Sequence, residues 1–274
     1  MNKVLNLLAE NRPLVMGILN TTPDSFSDGG QYDSVSSAVD RASQMIAEGA
    51  DMIDIGGEST RPGAEPVSVE EEVQRVIPVI QAIRRQSDIV ISIDSSKPEV
   101  MKQAVIAGAD MVNDVNALQA AGATAICAEL DIPVCVMHMQ GEPRTMQHNP
   151  QYINVVADIK YYLQQRIEAC LAAGIRQENI MIDPGFGFGK TLEQNYSLLK
   201  HLDAFEELGC PVLVGISRKS MIGTVLGAEV EERVAGSVAA AVLAYTRGGR
   251  LFRVHDVKPT VDALRICSAM SVAE

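Results

Sequence analysis

Most polar side chains that could carry chemistry in this sequence stand where short apolar runs end. Eight such runs carry, at or near their ends, Asn20, Asp54, Asp94, Asn113, His138, Asp183, Ser217 and His255. Lys219 and Arg253 lie beside two of these ends and add positive charge. Carboxylates and an amide around a low-dielectric pocket suit a heterocycle with adjacent N–H donors and a carbonyl. Arg and His suit a phosphate or diphosphate, because a guanidinium offers a bidentate fork.

The apolar runs alternate with amphipathic stretches, which predicts parallel β-α-β units. The runs cover residues 14–20, 51–56, 89–94, 110–114, 132–138, 180–185, 211–217 and 251–256. The predicted helices cover about 35–49, 69–86, 98–108, 121–130, 154–173, 192–208, 231–247 and 257–271. Eight units without a Pro/Ser-rich linker favour an α/β fold, a single-domain (β/α)8 TIM barrel over residues 1–274. A doubly wound open sheet is the alternative.

Residues within the predicted strands alternate between apolar and polar. Ile91 and Ile93 fall on one face of their strand, and Asp94 falls on the other. We expect the apolar face to meet the helices and the polar face to point into the barrel or its mouth. The same alternation separates Cys135 from His138, which disfavours a zinc site shared by these two side chains. Since barrels of this kind carry chemistry at the carboxyl ends of their strands, the sequence predicts one active site there.

The glycine-rich segment 183–191 (DPGFGFGKT) looks like a phosphate loop but fails both common nucleotide-binding patterns. A Walker A loop needs glycine where Pro184 stands. The glycines are spaced G-x-G-x-G, whereas the dinucleotide fingerprint is G-x-G-x-x-G. We interpret them as letting the backbone approach a flat ligand closely, in a tight turn between strand and helix.

Length and composition exclude several classes of protein. The 274 residues are 47% hydrophobic and 21% charged, which suits a large core and not a disordered chain. A net charge of −12 argues against broad binding of nucleic acid. No run approaches the roughly 20 apolar residues that cross a bilayer, and the first residues make a poor signal peptide. Five widely spaced cysteines without a CxxC motif predict reduced thiols in a cytoplasmic protein.

Motifs distributed over about residues 13–267 together resemble the dihydropteroate synthase family of folate biosynthesis. They are residues 16–30 (MGILNTTPDSFSDGG), 54–64 (DIGGESTRPGA), 91–100 (ISIDSSKPEV), 113–114 (ND), 137–147 (MHMQGEPRTMQ), 183–190 (DPGFGFGK), 215–220 (GISRKS) and 253–259 (RVHDVKP). The resemblance implies a (β/α)8 barrel that joins 6-hydroxymethyl-7,8-dihydropterin diphosphate to 4-aminobenzoate. It also implies a requirement for Mg²⁺ and a homodimer.

The resemblance further implies roles for individual residues. The pterin ring would be held by Asp94, Asn113, Asp183 and Lys219, with Met137, Phe188 and Gly215 also in the substrate site. The diphosphate and metal end would comprise Asn20, the Mg²⁺ ligand, with Thr60, Arg61, Arg253 and His255. The aminobenzoate would be bordered by Phe26, Pro62, Ser217 and Lys219. The expected catalytic set is Asn20, Asp28, Arg61, Lys219, Arg253 and His255. Arg253 would also cover the pterin face.

Two other functions remain as alternatives. A pterin-dependent methyltransferase domain resembles the same barrel, but it needs no diphosphate cluster, and the STRPG and SRKS segments argue against it. Loss of Asn20, Arg253 or His255 would favour a catalytically silent pterin-binding protein, and all three are present. We therefore expect small-molecule substrates, neither nucleic acid nor membrane as a partner, and substitution by a dissociative, Mg²⁺-assisted route.

Overall fold

The described residues form eight parallel strands that close into a barrel in chain order, with the first strand pairing to the last. This computed structural model describes residues 2–21, 31–59, 64–141, 146, 150–271 and 273, and only the backbone of residues 31–34. The strands are β1 Leu14–Asn20, β2 Met52–Gly56, β3 Val90–Asp94, β4 Met111–Asp114, β5 Val134–Met137, β6 Ile180–Asp183, β7 Val212–Val214 and β8 Gly249–Val254. The predicted barrel is confirmed, and the open-sheet alternative is wrong. The assignment of all of residues 1–274 to one domain stays a prediction.

Helices surround the barrel and connect its strands. In the described part of the chain they are α1 Lys3–Ala9, α2 Gln31–Ala47, α3 Val69–Arg84, α4 Pro98–Ala107, α5 Ala123–Glu129, α6 Val155–Ala172, α7 Leu192–Lys200, α8 Ser220–Leu226, α9 Val234–Tyr245 and α10 Val257–Ser271. Short 3-10 helices cover Gln177–Asn179, Leu202–Leu208 and Val230–Arg233. Among the described residues, no helix has the length and apolar character that crossing a bilayer requires.

The strands separate two apolar clusters. The larger cluster lies between strands and helices and includes Ile91, which is fully buried. The smaller cluster fills the barrel and includes Met52 and Met111. Because side chains two residues apart share a face of a strand, Asp54 lies above Met52 and Asn113 above Met111. The barrel is therefore apolar towards the amino ends of its strands and polar towards their carboxyl ends.

The predicted helix 192–208 is wrong as one continuous element. It is α7 followed by the 3-10 helix Leu202–Leu208. Residues three apart lie on one side of a 3-10 helix, and Leu202 and Phe205 are both fully buried. The three-residue period of the 3-10 helix therefore directs both side chains towards the core.

Helix α8 lies outside the predicted helices. Gly223 in its centre weakens the helical pattern, since glycine costs about 1 kcal/mol relative to alanine in a helix. A side chain there would clash, because a Cβ atom would lie 2.4 Å from the guanidinium of Arg233. The position of the Arg233 side chain thus explains the glycine, which helix propensity alone would interpret as the end of a helix.

Helix α1 also lies outside the predicted helices, and it packs on the cluster inside the barrel. The Asn2 side chain caps it by accepting a hydrogen bond from Val4 N at 2.8 Å. Val4 is fully buried in the inner cluster, and Leu7 and Leu8 pack against it. Arg250 donates to the Leu8 carbonyl at 3.1 Å. Seven residues carry too little periodicity to reveal this helix in the sequence.

Replacing Val4 with alanine is expected to lower the free energy of unfolding by about 2 kcal/mol, because it removes buried methyl groups and leaves a cavity. Asn6 lies on the same helix and is exposed, so Asn6→Ala is the matched control. Urea denaturation of both variants checks this. Equal stability of the two variants would contradict packing of α1 inside the barrel.

Candidate active site

A pocket opens at the carboxyl ends of the strands, where the sequence predicts the site. Its lining comprises Ile18, Asp94, Asn113, Val115, Met137, Asp183, Phe188, Gly215, Ser217, Lys219, Arg253 and His255. The structure thus brings together the predicted residues of β3 to β8 and their following loops. The predicted residues Phe26, Asp28, Thr60, Arg61 and Pro62 lie outside the described residues, and their roles stay predictions.

Arg253 on β8 forms ion pairs with two carboxylates of the pocket. Its Nε donates to Asp54 Oδ2 at 2.5 Å, and its Nη2 donates to Asp94 Oδ2 at 2.7 Å. Asp54 is fully buried and also accepts a hydrogen bond from Asn113 Nδ2 at 3.2 Å. The Arg253 side chain is only 22% exposed, so the pairing differs from the weak ion pairs of a solvated rim.

The sequence places Asp54 among the polar strand ends but gives it no role in the site. In the structure it joins Arg253 on β8 to Asn113 on β4. Its Oδ1 atom is buried and accepts no hydrogen bond from the described residues. A carboxylate in that setting depends on a neighbouring cation. The inward-facing position two residues after Met52 is the signal that could have found it.

Burial and neighbouring charges shift several pKa values in the pocket. Burial raises the pKa of Asp94 to about 7, although the charge of Arg253 opposes this. Burial also raises the pKa of Asp183, and Lys219 opposes the rise. The pKa of Lys219 falls to about 8 because of burial, with Asp183 opposing. Burial lowers the pKa of Arg253, but the charges of Asp54 and Asp94 outweigh it, so the net pKa is raised.

The glycine-rich loop that follows β6 forms hydrogen bonds with the side chains of Asp183 and Lys219. The backbone N–H of Gly185 donates to Asp183 Oδ1 at 2.7 Å. Lys219 Nζ donates to the carbonyl of Phe186 and lies 4.3 Å from the centroid of the Phe188 ring. An acceptor and a donor therefore face the pocket on rigid backbone.

Ser217 and His255 connect the loops after β7 and β8. Ser217 Oγ accepts from His255 N at 3.2 Å and lies 3.1 Å from its Nδ1. Arg218 between Ser217 and Lys219 has φ +56°, a strained backbone for a residue with a side chain. Its guanidinium donates to both Asp256 carboxylate oxygens, at 2.9 and 2.6 Å. This bidentate pair holds the strained turn against the last loop.

Asn20 ends β1 close to the pocket. A Cβ atom placed on Gly56 would lie 3.9 Å from Asn20 Oδ1 and 3.6 Å from Asp94 Oδ2. No group of three His, Cys, Asp or Glu side chains among the described residues could hold a metal ion. Mg²⁺ often takes one or two protein oxygens and completes its shell with water and substrate phosphates. Among the described residues Asn20 can supply one such oxygen, and the requirement for Mg²⁺ stays a prediction.

His138 lies away from the pocket although its neighbour Met137 lines it. Cys135 belongs to the inner cluster, and His138 contacts Lys190 and Tyr162 instead. The predicted separation of the Cys135 and His138 side chains is therefore confirmed.

Comparison with known proteins decides the family. The family described as pterin binding enzyme matches residues 16–255. Dihydropteroate synthase of Haemophilus influenzae is 52% identical over 272 residues, which cover 99% of this chain and 98% of that relative. The chain belongs to the dihydropteroate synthase family. Members of the dihydropteroate synthase family are transferases, so the predicted transferase class is confirmed.

Two solved structures of the dihydropteroate synthase family share the barrel. The Yersinia pestis enzyme in a sulfonamide drug complex superposes with a TM-score of 0.92 at 50% identity, covering 96% of this chain and 95% of that one. The Xanthomonas albilineans enzyme with 4-aminobenzoic acid gives a TM-score of 0.92 at 52% identity, with the same coverage. The resemblance drawn from the motifs is therefore confirmed at the level of the family and the fold.

We expect a neutral dihydropterin to bind this pocket most tightly between about pH 7 and about pH 8. Below that range Asp94 gains a proton and loses its acceptor charge, so affinity falls by up to about tenfold per pH unit. Above it Lys219 loses a proton, and with it a charged donor. Calorimetry across pH checks this, with Asp94→Asn as the variant that lacks the acid limb. An affinity that stays flat from about pH 5.5 to about pH 9 would refute the assignment of both groups.

Proposed function

We propose that this chain condenses 6-hydroxymethyl-7,8-dihydropterin diphosphate with 4-aminobenzoate, giving 7,8-dihydropteroate and diphosphate. The observation that carries the proposal is one barrel-mouth pocket in which the carboxylates of Asp94, 10% exposed, and the buried Asp183 lie with the cations Lys219 and Arg253. Such a set complements both halves of this substrate, a heterocycle with N–H donors and a charged leaving group. The related enzyme that binds 4-aminobenzoic acid supports the second substrate.

The pterin ring is proposed to bind against β3, β4 and β6. Asp94, Asn113 and Asp183 offer acceptors to the N–H groups of the pyrimidine edge, and Lys219 offers a donor to its carbonyl. These side chains project from different strands into one pocket. Asp183 and Lys219 are held by hydrogen bonds to the loop after β6, which lowers the cost of ordering these two side chains on binding.

Arg253 Nη2 donates to the Asp94 carboxylate that the ring is proposed to contact. For Asp94 to accept a hydrogen bond from the ring, Nη2 of Arg253 has to leave it. The Nε contact with the fully buried Asp54 can persist, because Asp54 lies deeper in the barrel. The freed end of the guanidinium can then lie over the ring and donate to the diphosphate, which uses its planar fork.

The reaction breaks the bond between the pterin methylene and the diphosphate oxygen, and the electron pair leaves with diphosphate. The amine nitrogen of 4-aminobenzoate forms the new bond and passes its proton to the released diphosphate. This aryl amine is neutral near pH 7, so it needs no strong base. Asp94 and Asp183 favour the cation that develops on the pterin, and Arg253 and His255 neutralise the leaving group. The route is therefore dissociative.

Asn20 is the proposed protein ligand of Mg²⁺, together with oxygens of the diphosphate. Its amide oxygen lies near Asp94 at the mouth of the barrel. When bound there, Mg²⁺ would offset negative charge on the diphosphate. The carboxyl ends of the first two strands are also where Asp28, Thr60 and Arg61 are expected, although these residues lie outside the described part of the chain.

The aminobenzoate is proposed to lie beside Ser217 and Lys219 at the outer edge of the pocket. Phe26 and Pro62 are its expected borders on the other side, outside the described residues. Sulfonamides present a similar aryl amine, so we extend the proposal to inhibition at this subsite. The sulfonamide complex of the Yersinia pestis relative supports that extension.

A homodimer in the cytoplasm completes the proposal. Exposed apolar side chains cluster on α8, α9 and α10, and α9 packs against both of the others. They are Val225, Leu226, Leu243, Ile266 and Met270, all more than half exposed. Apolar side chains on adjoining helices are typical of an association surface.

The decisive assay measures diphosphate release with and without 4-aminobenzoate. We expect release to depend on 4-aminobenzoate and to match dihydropteroate formed one to one. A methyltransferase or a silent binding protein would release no diphosphate under either condition. Release at the same rate without the amine would indicate hydrolysis and contradict the proposed condensation.

Arg253→Lys is expected to lower kcat/KM for the pterin substrate by about 30–150-fold, because lysine keeps the charge but cannot span two carboxylates or cover a ring. Steady-state kinetics at saturating 4-aminobenzoate measure the change. Lys258→Arg exchanges the same side chains in an exposed ion pair with Asp262 and is the control. A kcat/KM within about fivefold of the parent would remove Arg253 from the site.

Leu243→Glu is expected to convert the protein to monomers, because it places a charge in the proposed interface. Ile106 is 72% exposed on α4, away from α9, so Ile106→Glu is the matched control. Light scattering after gel filtration gives both masses. A dimer that survives Leu243→Glu, or a parent that is monomeric, would overturn the proposed surface.

A further inference from the structure

Lys190 is a buried amine that the proposed reaction does not use. It is 3% exposed and closes the glycine-rich loop. Its Nζ donates to the carbonyls of Gly185 at 2.7 Å and Phe188 at 2.9 Å, and it lies 3.1 Å from Nδ1 of His138. Three acceptors therefore surround the Lys190 amino group.

His138 is the acceptor on the side of β5. It is 6% exposed and packs edge-on against Tyr162, with ring centroids 4.9 Å apart. Burial, with a further contribution from the charge of Lys190, lowers the pKa of His138 to about 3, so the imidazole is neutral. If Nδ1 accepts from Lys190, the imidazole proton lies on Nε2. Burial, with a further contribution from the charge of Lys219, lowers the pKa of Lys190, and the charge of Asp183 opposes that shift.

The loop that Lys190 holds runs in close contact with the backbone after β5. Gly185 has φ +73°, and a Cβ atom on it would lie 1.9 Å from the carbonyl oxygen of His138. On the far side of the loop, Asn195 accepts from Gly187 N at 2.7 Å and donates to the Lys190 carbonyl at 3.2 Å. The loop path therefore leaves little freedom, and Lys190 ties together two of its carbonyls.

The opposite side of this loop meets Lys219. Lys219 Nζ donates to the Phe186 carbonyl and lies 4.3 Å from the Phe188 ring centroid. A Cβ atom on Gly187 would lie 3.1 Å from Lys219 Cδ. Lys190 binds the carbonyls of Gly185 and Phe188, and Phe186 lies between these two residues in the chain. A shift of the loop would therefore move the groups that position Lys219.

We propose that Lys190 is a positioning residue for the pterin pocket: its amino group fixes the backbone of residues 185–188, and that backbone fixes Lys219 beside Asp183. This inference rests on the proposed function for the identity of the ligand. It also explains why a lysine ends the glycine-rich motif of a chain in which that motif fails the Walker A pattern. The lysine binds its own loop and not a phosphate.

The test replaces Lys190 with methionine, which keeps an unbranched chain of similar length and removes every donor. Calorimetry with 6-hydroxymethyl-7,8-dihydropterin is expected to show an increase in Kd of about tenfold. The basic limb of binding, set by the lowered Lys219 pKa of about 8, is expected to move to higher pH as water reaches Lys219. Loss of the Lys190 charge also raises the pKa of Lys219, so the shift supports positioning only if His138→Leu, which keeps Lys190, produces it as well.

Arg84 provides the matched control at the other end of the barrel. It follows the same design, donating to the carbonyls of Gly108 at 2.7 Å and Ile89 at 2.8 Å, at the amino ends of β3 and β4. Arg84→Met is expected to lower the Tm and leave dihydropterin binding unchanged. Equal weakening of binding in both variants would assign the effect to general loss of stability and overturn the inference.

A second pair of variants applies if Lys190→Met does not fold. His138→Leu removes one acceptor of Lys190, and His138→Asn keeps an oxygen near the position of Nδ1. Weaker dihydropterin binding by His138→Leu than by His138→Asn supports the inference, and equal binding overturns it. With Lys190→Met folded, a Kd within about twofold of the parent and an unmoved basic limb overturn it as well.

The parent protein separates this inference from the proposed function. A parent that does not bind the dihydropterin refutes the proposed function itself. A parent that binds it and forms dihydropteroate, while Lys190→Met binds equally well, refutes the positioning role alone.

Discussion

The ion pair between Arg253 and two buried carboxylates is the interaction on which the barrel mouth depends. An ionised carboxylate in a low-dielectric interior is costly unless a cation lies beside it. Among the described residues, Asp54, Asp94 and Asp183 meet this condition through Arg253 and Lys219. The pocket is therefore charged, nearly balanced and assembled before a ligand enters. These ion pairs stabilise the charges of the pocket in its low-dielectric surroundings.

The interior of the barrel has an apolar layer and a polar layer. Met52 and Met111 fill the lower part, α1 packs beneath them, and polar side chains take the positions above. Further charged side chains lie on the loops that follow the strands. The strained turn at Arg218 is held by Asp256, and the loop after β6 is held by Lys190. Stability at one end of the barrel and chemistry at the other thus arise from the same alternation along each strand.

Alternation and motif spacing predict much of this site because they depend only on local geometry. They place Asp94, Asn113 and Asp183 at the mouth of the barrel, and they separate Cys135 from His138. The strand bounds agree to within one to three residues, since apolar runs mark buried strands well. The parts that spacing does not predict involve contacts between distant segments.

The contacts of Asp54, Lys190 and helix α1 illustrate that limit. Asp54 meets Arg253 only when β8 closes the barrel, because the two residues are 199 positions apart in the chain. Lys190 reaches back over a loop whose path depends on glycines with positive φ. Helix α1 is too short to show a period, and its burial follows from the shape of the barrel interior. Each depends on tertiary packing that no short pattern contains.

The central claim is that the ligand replaces one arm of the Arg253 ion pair while the other arm stays in place. A crystal structure with 6-hydroxymethyl-7,8-dihydropterin bound tests it directly. The account predicts that Asp94 accepts hydrogen bonds from the pterin, that Arg253 Nη2 has left Asp94, and that Arg253 Nε still contacts Asp54. A bound pterin with the contact between Arg253 and Asp94 intact would contradict it.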